Sequence, residues 1–210
     1  MLDLKKFAED FIQKKLQLFD DDNREDESVI KAINDRETAN SDRERGVRRW
    51  LNVYKALLFF PPDNSMKIAG EIIKFAHERQ RTTLHQNKDR IISEYVCLRE
   101  RIRQFAPSLK SGNPKEVTSL TSKALWCCYP YDVPIFDSYA VDALRVISRL
   151  SRIAPEPNQS EYACFVDVWS QVYSEIVSVI EEADLNGYPY KVRVLDRLLW
   201  DLGQPSYYTP

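Results

Sequence analysis

Glycine is scarce in this chain, with 5 among 210 residues, and the 11 prolines fall mostly between apolar segments. No stretch alternates apolar and polar residues as a half-buried strand does, so α/β folds are not expected. No apolar run reaches the roughly 18 residues that a membrane span needs. The charged N-terminus, MLDLKKFAEDF, lacks the continuous apolar segment of a signal peptide. These absences predict a soluble, cytoplasmic protein without a membrane partner.

Patterns for metal and cofactor binding are missing as well. The four cysteines, Cys97, Cys127, Cys128 and Cys164, form no CxxC pair, and only two histidines accompany them. A closed zinc or iron–sulfur site needs clustered ligands, so we expect buried thiols, no metal site and no cofactor. No Walker loop, HExxH or GxSxG motif occurs either.

The apolar residues recur at spacings of three and four, which predicts a nearly all-helical chain. A first helix is expected from Leu4 to Leu18, followed by an acidic loop or helix start at 20–27 and a short helix at 29–33. A third helix is expected to start with N-caps at Asn40–Asp42 and to end at Pro61–Pro62. Further helices are expected at 66–80, 86–106, 115–129, 138–151, 159–183 and 190–202.

The net charge of −2 is unevenly distributed along the chain. Residues 1–42 carry −5, residues 43–110 carry +8, and residues 111–210 carry −5. Such a basic block can face a polyanion such as nucleic acid. It can equally be a solvated helical face whose charges pair with the acidic ends, and charge alone does not decide between the two.

The run 118–150, TSLTSKALWCCYPYDVPIFDSYAVDALRVISRL, holds two predicted helices joined by a proline-rich connection. Asp137 stands at the joint and is well placed to open the second helix. Lys123 stands fourteen residues earlier, at the start of the first helix. An acid at a helix start inside an apolar joint can also do chemistry, so Asp137 has a structural and a catalytic interpretation.

This run resembles the core of the helix-hairpin-helix DNA glycosylases, the endonuclease III and 8-oxoguanine glycosylase superfamily. Residues 119–123, SLTSK, stand where that family has the end of its hairpin and its lysine. Residues 133–137, VPIFD, resemble the family's apolar connection and its aspartate, and residues 138–141 open the next helix. The glycine-rich hairpin itself is absent, with only Gly112 nearby, and no four-cysteine cluster follows.

The resemblance implies roles for the two charged residues of the run. Breaking the bond between base and deoxyribose builds positive charge on the sugar, which a fixed carboxylate stabilises while activating water. Asp137 would supply that carboxylate, and the alternative is that Asp137 or Ser138 only caps the helix. Lys123 would attack the sugar to form a Schiff base. Its alternative role is that of a solvent-facing lysine or a phosphate contact.

An extruded nucleotide must be held between flat or apolar groups. The candidates near the joint are Trp126, Tyr129, Tyr131, Phe136, Ser138 and Tyr139, whereas Trp50 and Trp200 are interpreted as core residues. Phosphate contacts are expected from the basic block, through Arg45, Arg48, Arg49, Arg99 and Arg103.

Together, these features predict a two-lobed all-α protein with helix-hairpin-helix glycosylase-like topology. The expected lobes are residues 1–110 and 111–210, the second being the core with Asp137. The expected function is a DNA glycosylase acting as a monomer on double-stranded DNA. Its substrate would be a damaged or modified base, including a bulky modified base of phage DNA in antiviral defence. The alternative is a non-catalytic helical domain that binds DNA or a protein.

Overall fold

The computed structural model describes residues 3–79, 83–84, 86–107, 116–151 and 160–204. Helices dominate these residues and no strand occurs among them, which confirms the predicted all-α class. The helices are α1 (Leu4–Asn34), α2 (Asn40–Val53), α3 (Pro62–Glu78), α4 (Lys88–Arg103), α5 (Thr118–Cys128), α6 (Ser138–Ser151), α7 (Glu161–Glu182) and α8 (Lys191–Leu202).

Several helices begin at local capping signals. Helix α3 has Pro62 in its first turn, where the missing N–H costs nothing. The side chain of Asn87 accepts a hydrogen bond from the amide of Arg90 at 3.1 Å at the start of α4. The hydroxyl of Ser160 does the same for the amide of Ala163 at 3.3 Å at the start of α7. These side chains satisfy amides that have no partner within the helix.

The acidic run 20–27 is helical, so the predicted break between the first two helices is wrong. Helix α1 continues through the run to Asn34. Asp26 is fully buried and accepts a hydrogen bond from Nε1 of Trp50 at 2.8 Å, and Glu25 pairs with Arg49 at 2.8 Å. Asp26 and Glu25 therefore have partners on α2, and the density of acidic residues along the sequence does not show these partners.

Helix α2 ends at Val53, earlier than the predicted end at Pro61–Pro62. Lys55 adopts the left-handed conformation with φ 54°. The amide of Lys55 donates to the carbonyl of Asn52 at 2.9 Å, and the amide of Ala56 donates to the carbonyl of Leu51 at 2.8 Å. This is a Schellman closure, which usually has glycine at the left-handed position. With lysine there, the sequence lacked the usual signal for the end of the helix.

The chain forms two compact units. We call Met1–Asp22 with Pro134–Pro210 the terminal unit, and Asn23–Val133 the central unit. The division falls inside α1 and after Val133, whereas the expected lobes met near residue 110. Helix α5 belongs to the central unit because it packs against α2, α3 and α4.

The core of the central unit is centred on aromatic packing between α2 and α5. The indole rings of Trp50 and Trp126 are stacked, with centroids 5.2 Å apart and ring planes 8° from parallel. Both side chains are buried, as are Leu51 on α2 and Leu125 on α5. Trp50 is therefore a core residue, as predicted.

The terminal unit packs α6 against α7 and α8. Among the described helices, α7 alone has the length and mean hydropathy, 1.2, of a membrane span. Over half of that stretch, 56%, is buried inside the fold. This burial is typical of the core helix of a soluble protein, and Trp169 illustrates it by stacking on Tyr173 at 4.8 Å.

Candidate functional site

Asp137 caps α6 in the terminal unit. Its Oδ1 accepts a hydrogen bond from the amide of Tyr139 at 3.1 Å, and its backbone carbonyl accepts one from the amide of Val141 at 2.9 Å. The residue is half-buried. The capping role predicted for Asp137 or Ser138 thus falls to Asp137. Its orientation is set by the helix N-terminus, while part of its surface stays accessible.

The residues just before Asp137 are held from both neighbouring helices. The hydroxyl of Tyr162 on α7 donates to the carbonyl of Pro134 at 3.2 Å. The amide of Ile135 donates to Oδ2 of Asp196 on α8 at 3.0 Å. Ile135 and Phe136 are buried, so the carboxylate follows an apolar segment, as expected. Phe136 packs edge-on against Phe165 at 5.2 Å.

Asp196 is a buried acid that the sequence reading missed. Its Oδ1 accepts from Nε1 of Trp169 at 2.9 Å. Burial raises the pKa of Asp196 to about 7, against the opposing effects of Arg193 and the two hydrogen bonds. A signal for it existed, because Asp196 falls on the apolar stripe of α8 with Val192 and Leu199.

Two exposed aromatic rings lie beside the start of α6. Tyr139 is 36% exposed and Trp200 of α8 is 38% exposed, with their centroids 6.0 Å apart in an edge-on arrangement. The prediction that Trp200 is a core residue is therefore wrong. The end of α8 comes so close that a Cβ at Gly203 would lie 1.9 Å from the carbonyl oxygen of Tyr139. The glycine permits this contact between α8 and α6.

A cavity of about 320 Å³ lies between α6 and α7 in the same unit. Its lining is mainly apolar, with a few polar side chains: Phe136, Val141, Leu144, Phe165 and Val168 with Arg145, Ser148, Glu161 and Cys164. The cavity-lining positions on α6 are four, seven, eight and eleven residues after Asp137. Residues at these spacings share one face of a helix, and Asp137 comes directly before this helix without lining the cavity itself.

The other two candidates from the joint, Lys123 and Trp126, lie in the central unit. Lys123 is 5% exposed and its Nζ donates to the hydroxyl of Ser119 at 2.7 Å. A solvent-facing position for Lys123 is therefore wrong. Trp126 has no exposed surface, so its predicted contact with a substrate is unsupported. Both residues belong to the interior of that unit, because α5 is packed on several sides.

The two remaining tyrosines of the joint differ in exposure. Tyr131 is 56% exposed, whereas Tyr129 is buried and its hydroxyl finds no hydrogen-bond partner among the described residues. Burial raises the pKa of Tyr129, and the nearby Glu94 and Cys128 add to the shift. A buried, protonated phenol is poorly placed to stack on a base.

Many arginines of the basic block are paired with acids. Arg45 pairs with Asp42, Arg49 with Glu25, and Arg99 with Glu116 at 3.2 Å. The hydrogen bonds that Arg99 donates to Glu116 raise the pKa of Arg99. All three acids come from outside residues 43–110, so the alternative of pairing with the acidic ends holds for these arginines.

The last two arginine candidates have different surroundings. Arg48 is half-buried, and its Nε has no hydrogen-bond partner in the part of the chain that the structure describes. Arg103 is exposed at the end of α4. Arg103 is therefore a predicted phosphate contact that is open to solvent.

The described residues contain no group of three or more His, Cys, Asp or Glu side chains arranged to hold a metal ion. The four cysteines form no disulfide. Cys127 is buried, as expected, whereas Cys97, Cys128 and Cys164 are half-buried. Burial raises the pKa of the Cys128 thiol, which keeps it protonated and chemically quiet.

Comparison of the chain with protein-family models, with curated proteins and with solved structures found no match. The resemblance of residues 118–150 to the helix-hairpin-helix glycosylases stays a prediction from sequence. Gly112 and its neighbours, where the hairpin would lie, are outside the described residues. Functional inference therefore depends on the geometry around Asp137.

Proposed function

We propose that this protein is a DNA glycosylase that hydrolyses the bond between deoxyribose and a modified base, with Asp137 as its carboxylate. One observation carries the proposal. A half-buried carboxylate is oriented by the start of α6, the helix that carries the exposed Tyr139 ring against Trp200 and that lines a cavity through other residues.

The chemistry requires a carboxylate close to the anomeric carbon. Loss of the base leaves an oxocarbenium-like sugar, and a fixed negative charge stabilises it while orienting the attacking water. The hydrogen bond from the amide of Tyr139 to Asp137 holds that charge in place. Pre-orientation matters because a carboxylate that had to reorganise would stabilise the transition state less.

The aromatic pair and the cavity lie on different faces of α6, because Tyr139 is two residues before Val141, and each offers a separate surface to an extruded base. Stacking on an aromatic face contributes about 1–3 kcal/mol per base, and Tyr139 and Trp200 both present exposed rings. The 320 Å³ cavity lies in the range of about 300–1,000 Å³ typical of small-molecule sites. A cavity of this size with an apolar lining favours a bulky modified base, such as those of phage DNA, and hence a role in defence.

A second candidate function is a helical domain that binds DNA or protein without catalysis. The burial of Lys123 opposes Schiff-base chemistry, because a buried amine cannot attack a sugar in this conformation, but it does not bear on hydrolysis by Asp137. The acid partners of Arg45, Arg49 and Arg99 favour a protein partner over DNA within this candidate, because paired charges attract a polyanion less.

The decisive experiment is incubation of the protein with a panel of natural and modified duplexes, followed by alkaline cleavage at abasic sites. The glycosylase proposal expects strand breaks at one or more modified bases and none with unmodified DNA. The panel includes bases with large substituents, since the cavity selects for size. Binding of duplex without abasic sites on any substrate would favour the second candidate.

A further inference from the structure

A second cavity lies in the central unit, away in sequence from Asp137. It measures about 620 Å³ and is bounded by the end of α1, the start of α2 and one face of α3. Its charged and polar lining consists of Arg36, Asn40, Arg43, Glu44, Lys74, His77 and Glu78. A cavity of this volume falls within the range of small-molecule sites, about 300–1,000 Å³.

Arg43 forms a rigid cationic wall of this cavity. Its side chain is 3% exposed. The guanidinium donates to the carbonyls of Ala32 at 2.9 Å and Ile33 at 2.7 Å, to Asn40 at 3.3 Å, and lies 2.6 Å from Nε2 of His77. A guanidinium has five N–H groups, and these four contacts leave one on Nη1 without an acceptor among the described residues. That N–H is available to an acceptor on a ligand in the cavity that Arg43 lines.

Two exposed cations complete the positive side of the cavity. Arg36 and Lys74 line it and are both exposed, so they reach a ligand without a large loss of solvation. The first turn of α2 adds to them, because Ala39 at its N-cap provides no side-chain cap for the amides there. Helix N-termini attract anions through these amides and through the helix dipole.

Two acidic residues of the cavity lining, Glu44 and Glu78, limit which ligands fit. Glu78 is neutralised by Arg101 at 2.5 Å, whose hydrogen bond lowers the pKa of Glu78. Glu44 has no such partner among the described residues and lies against Gly70, where a Cβ would be 3.0 Å from its Oε1. A carboxylate in this position accepts hydrogen bonds from hydroxyl or amino groups. The ligand must therefore combine an anion with neutral donors.

We infer that this cavity binds a free mononucleotide, with its phosphate at Arg36, Arg43 and Lys74 and a sugar hydroxyl or base amino group at Glu44. Charge-assisted bonds from guanidinium and ammonium to phosphate are the strong contacts of such sites. The site shares no residue with the Asp137 site, so it stands independently of the proposed glycosylase activity.

The test is calorimetric titration of the whole chain with adenosine 5′-monophosphate, inorganic phosphate and adenosine at constant ionic strength. The nucleotide is expected to bind most tightly. Arg36→Gln and Lys74→Gln should each weaken nucleotide binding about tenfold, the loss of one charge-assisted bond. Lys67→Gln is the matched control, because Lys67 is an exposed lysine on α3 outside the cavity lining, and it should bind like the parent. Glu44→Gln should weaken nucleotide binding and leave phosphate binding equal or tighter.

Three outcomes would overturn the inference. The first is no nucleotide binding at millimolar concentration, and the second is equal weakening by Lys67→Gln and Lys74→Gln. The third outcome comes from a further titration with a short DNA duplex that lacks terminal phosphates. If only the duplex binds, and Lys74→Gln weakens it, the cavity contacts a DNA backbone and is no nucleotide site.

Discussion

Three of the four tryptophans, Trp50, Trp126 and Trp169, have at most 2% of their surface exposed, whereas Trp200 is 38% exposed. Each buried indole has a stacked ring or a buried acceptor: Trp50 and Trp126 stack on each other, and Trp169 donates to Asp196. Trp200 has an edge contact with Tyr139 and a surface that reaches solvent. At the scale of the residue, burial thus separates the three structural tryptophans from Trp200, the tryptophan that can contact a substrate.

Replacing Trp200 by alanine should reduce base release about tenfold or more, because stacking on a base is worth about 1–3 kcal/mol. The free energy of unfolding should fall by about 1 kcal/mol or less, as is usual for exposed positions. Trp126→Ala should instead cost about 3–5 kcal/mol of stability, because it opens a cavity in the core. Phe59→Ala, which removes another exposed ring, is the control for activity. Equal activity of the Trp200 and Phe59 variants would exclude Trp200 from the site.

Asp137→Asn should abolish base release and leave the thermal unfolding midpoint nearly unchanged. Asparagine caps helices about as well as aspartate does, so the bond from the Tyr139 amide survives the change. The negative charge that stabilises the sugar cation is lost in this variant. Asp142→Asn, an exposed acid on the same helix, should remain active. Retained activity in Asp137→Asn would falsify the catalytic role of Asp137.

Borohydride should trap no covalent adduct between this protein and DNA, even during base release. The amine of Lys123 is buried and bonded to Ser119, so it does not reach an abasic sugar. Trapping is measured as a shifted band on a denaturing gel, with a known lyase as positive control. An adduct that disappears in Lys123→Gln would mean that α5 opens to expose the lysine.

At the scale of the element, contacts between helices decide positions that local patterns leave open. Helix α1 passes through the acidic run 20–27 because Asp26 meets Trp50 and Glu25 meets Arg49. Helix α2 stops at Val53 because Lys55 takes the left-handed conformation. The start of α6 is held by Asp196 of α8 through Ile135, and by the close approach of Gly203 to Tyr139.

Gly203→Ala should displace the end of α8 from the start of α6. The added Cβ would meet the carbonyl oxygen of Tyr139 at 1.9 Å, and backbone cannot give way cheaply. Overpacking of this kind costs about 1–3 kcal/mol, and base release should fall with it because Asp137 and Tyr139 move. Gly187→Ala is the matched control, since its φ of 80° makes alanine strained while no atom lies near. It should lose about 1 kcal/mol and keep its activity. If both variants are equally active per folded molecule, the contact at Gly203 does not position the site.

At the scale of the whole molecule, stability should depend on pH through Asp196. Burial raises the folded-state pKa of Asp196 to about 7 from the ordinary 3.8. Between pH 4 and 7, Asp196 is therefore protonated in the folded protein and ionised in the unfolded chain. The contribution of Asp196 to stability is therefore fully present below pH 4, falls as the pH rises to about 7, and changes little above that. The effect on the free energy of unfolding is several kcal/mol, at about 1.4 kcal/mol per pKa unit.

Urea unfolding at a series of pH values measures this dependence. In Asp196→Asn the slope between pH 4 and 7 should be flatter than in the parent, because the titrating group is gone. Asp167→Asn, a half-buried acid on α7, is the control and should keep the parent slope. An unchanged slope in Asp196→Asn would assign the pH dependence to other groups.

The sequence by itself determined the all-α class and the approximate positions of most helices. Spacings of three and four mark amphipathic helices such as α3 and α4 because each buries an apolar stripe, a property of the local chain. It also placed Asp137 at the start of α6, since an acid before a helical pattern is a local capping signal. The start of α3 at Pro62 differs from the predicted start at residue 66, because Pro61–Pro62 was interpreted only as the end of the preceding helix.

Only the tertiary structure decided which charged and aromatic side chains are buried. Lys123 is buried and Trp200 is exposed, contrary to what their residue types suggest. Burial depends on which helices pack on each face, and the local sequence does not show this. The same holds for Asp196, whose partners Ile135 and Trp169 are distant in sequence. Several arginines of the basic block pair with acids on other segments. The net charge along the chain therefore did not show which arginines can still contact a phosphate. Electrostatic and packing energies depend on distances in space, and those distances exist only once the helices have assembled.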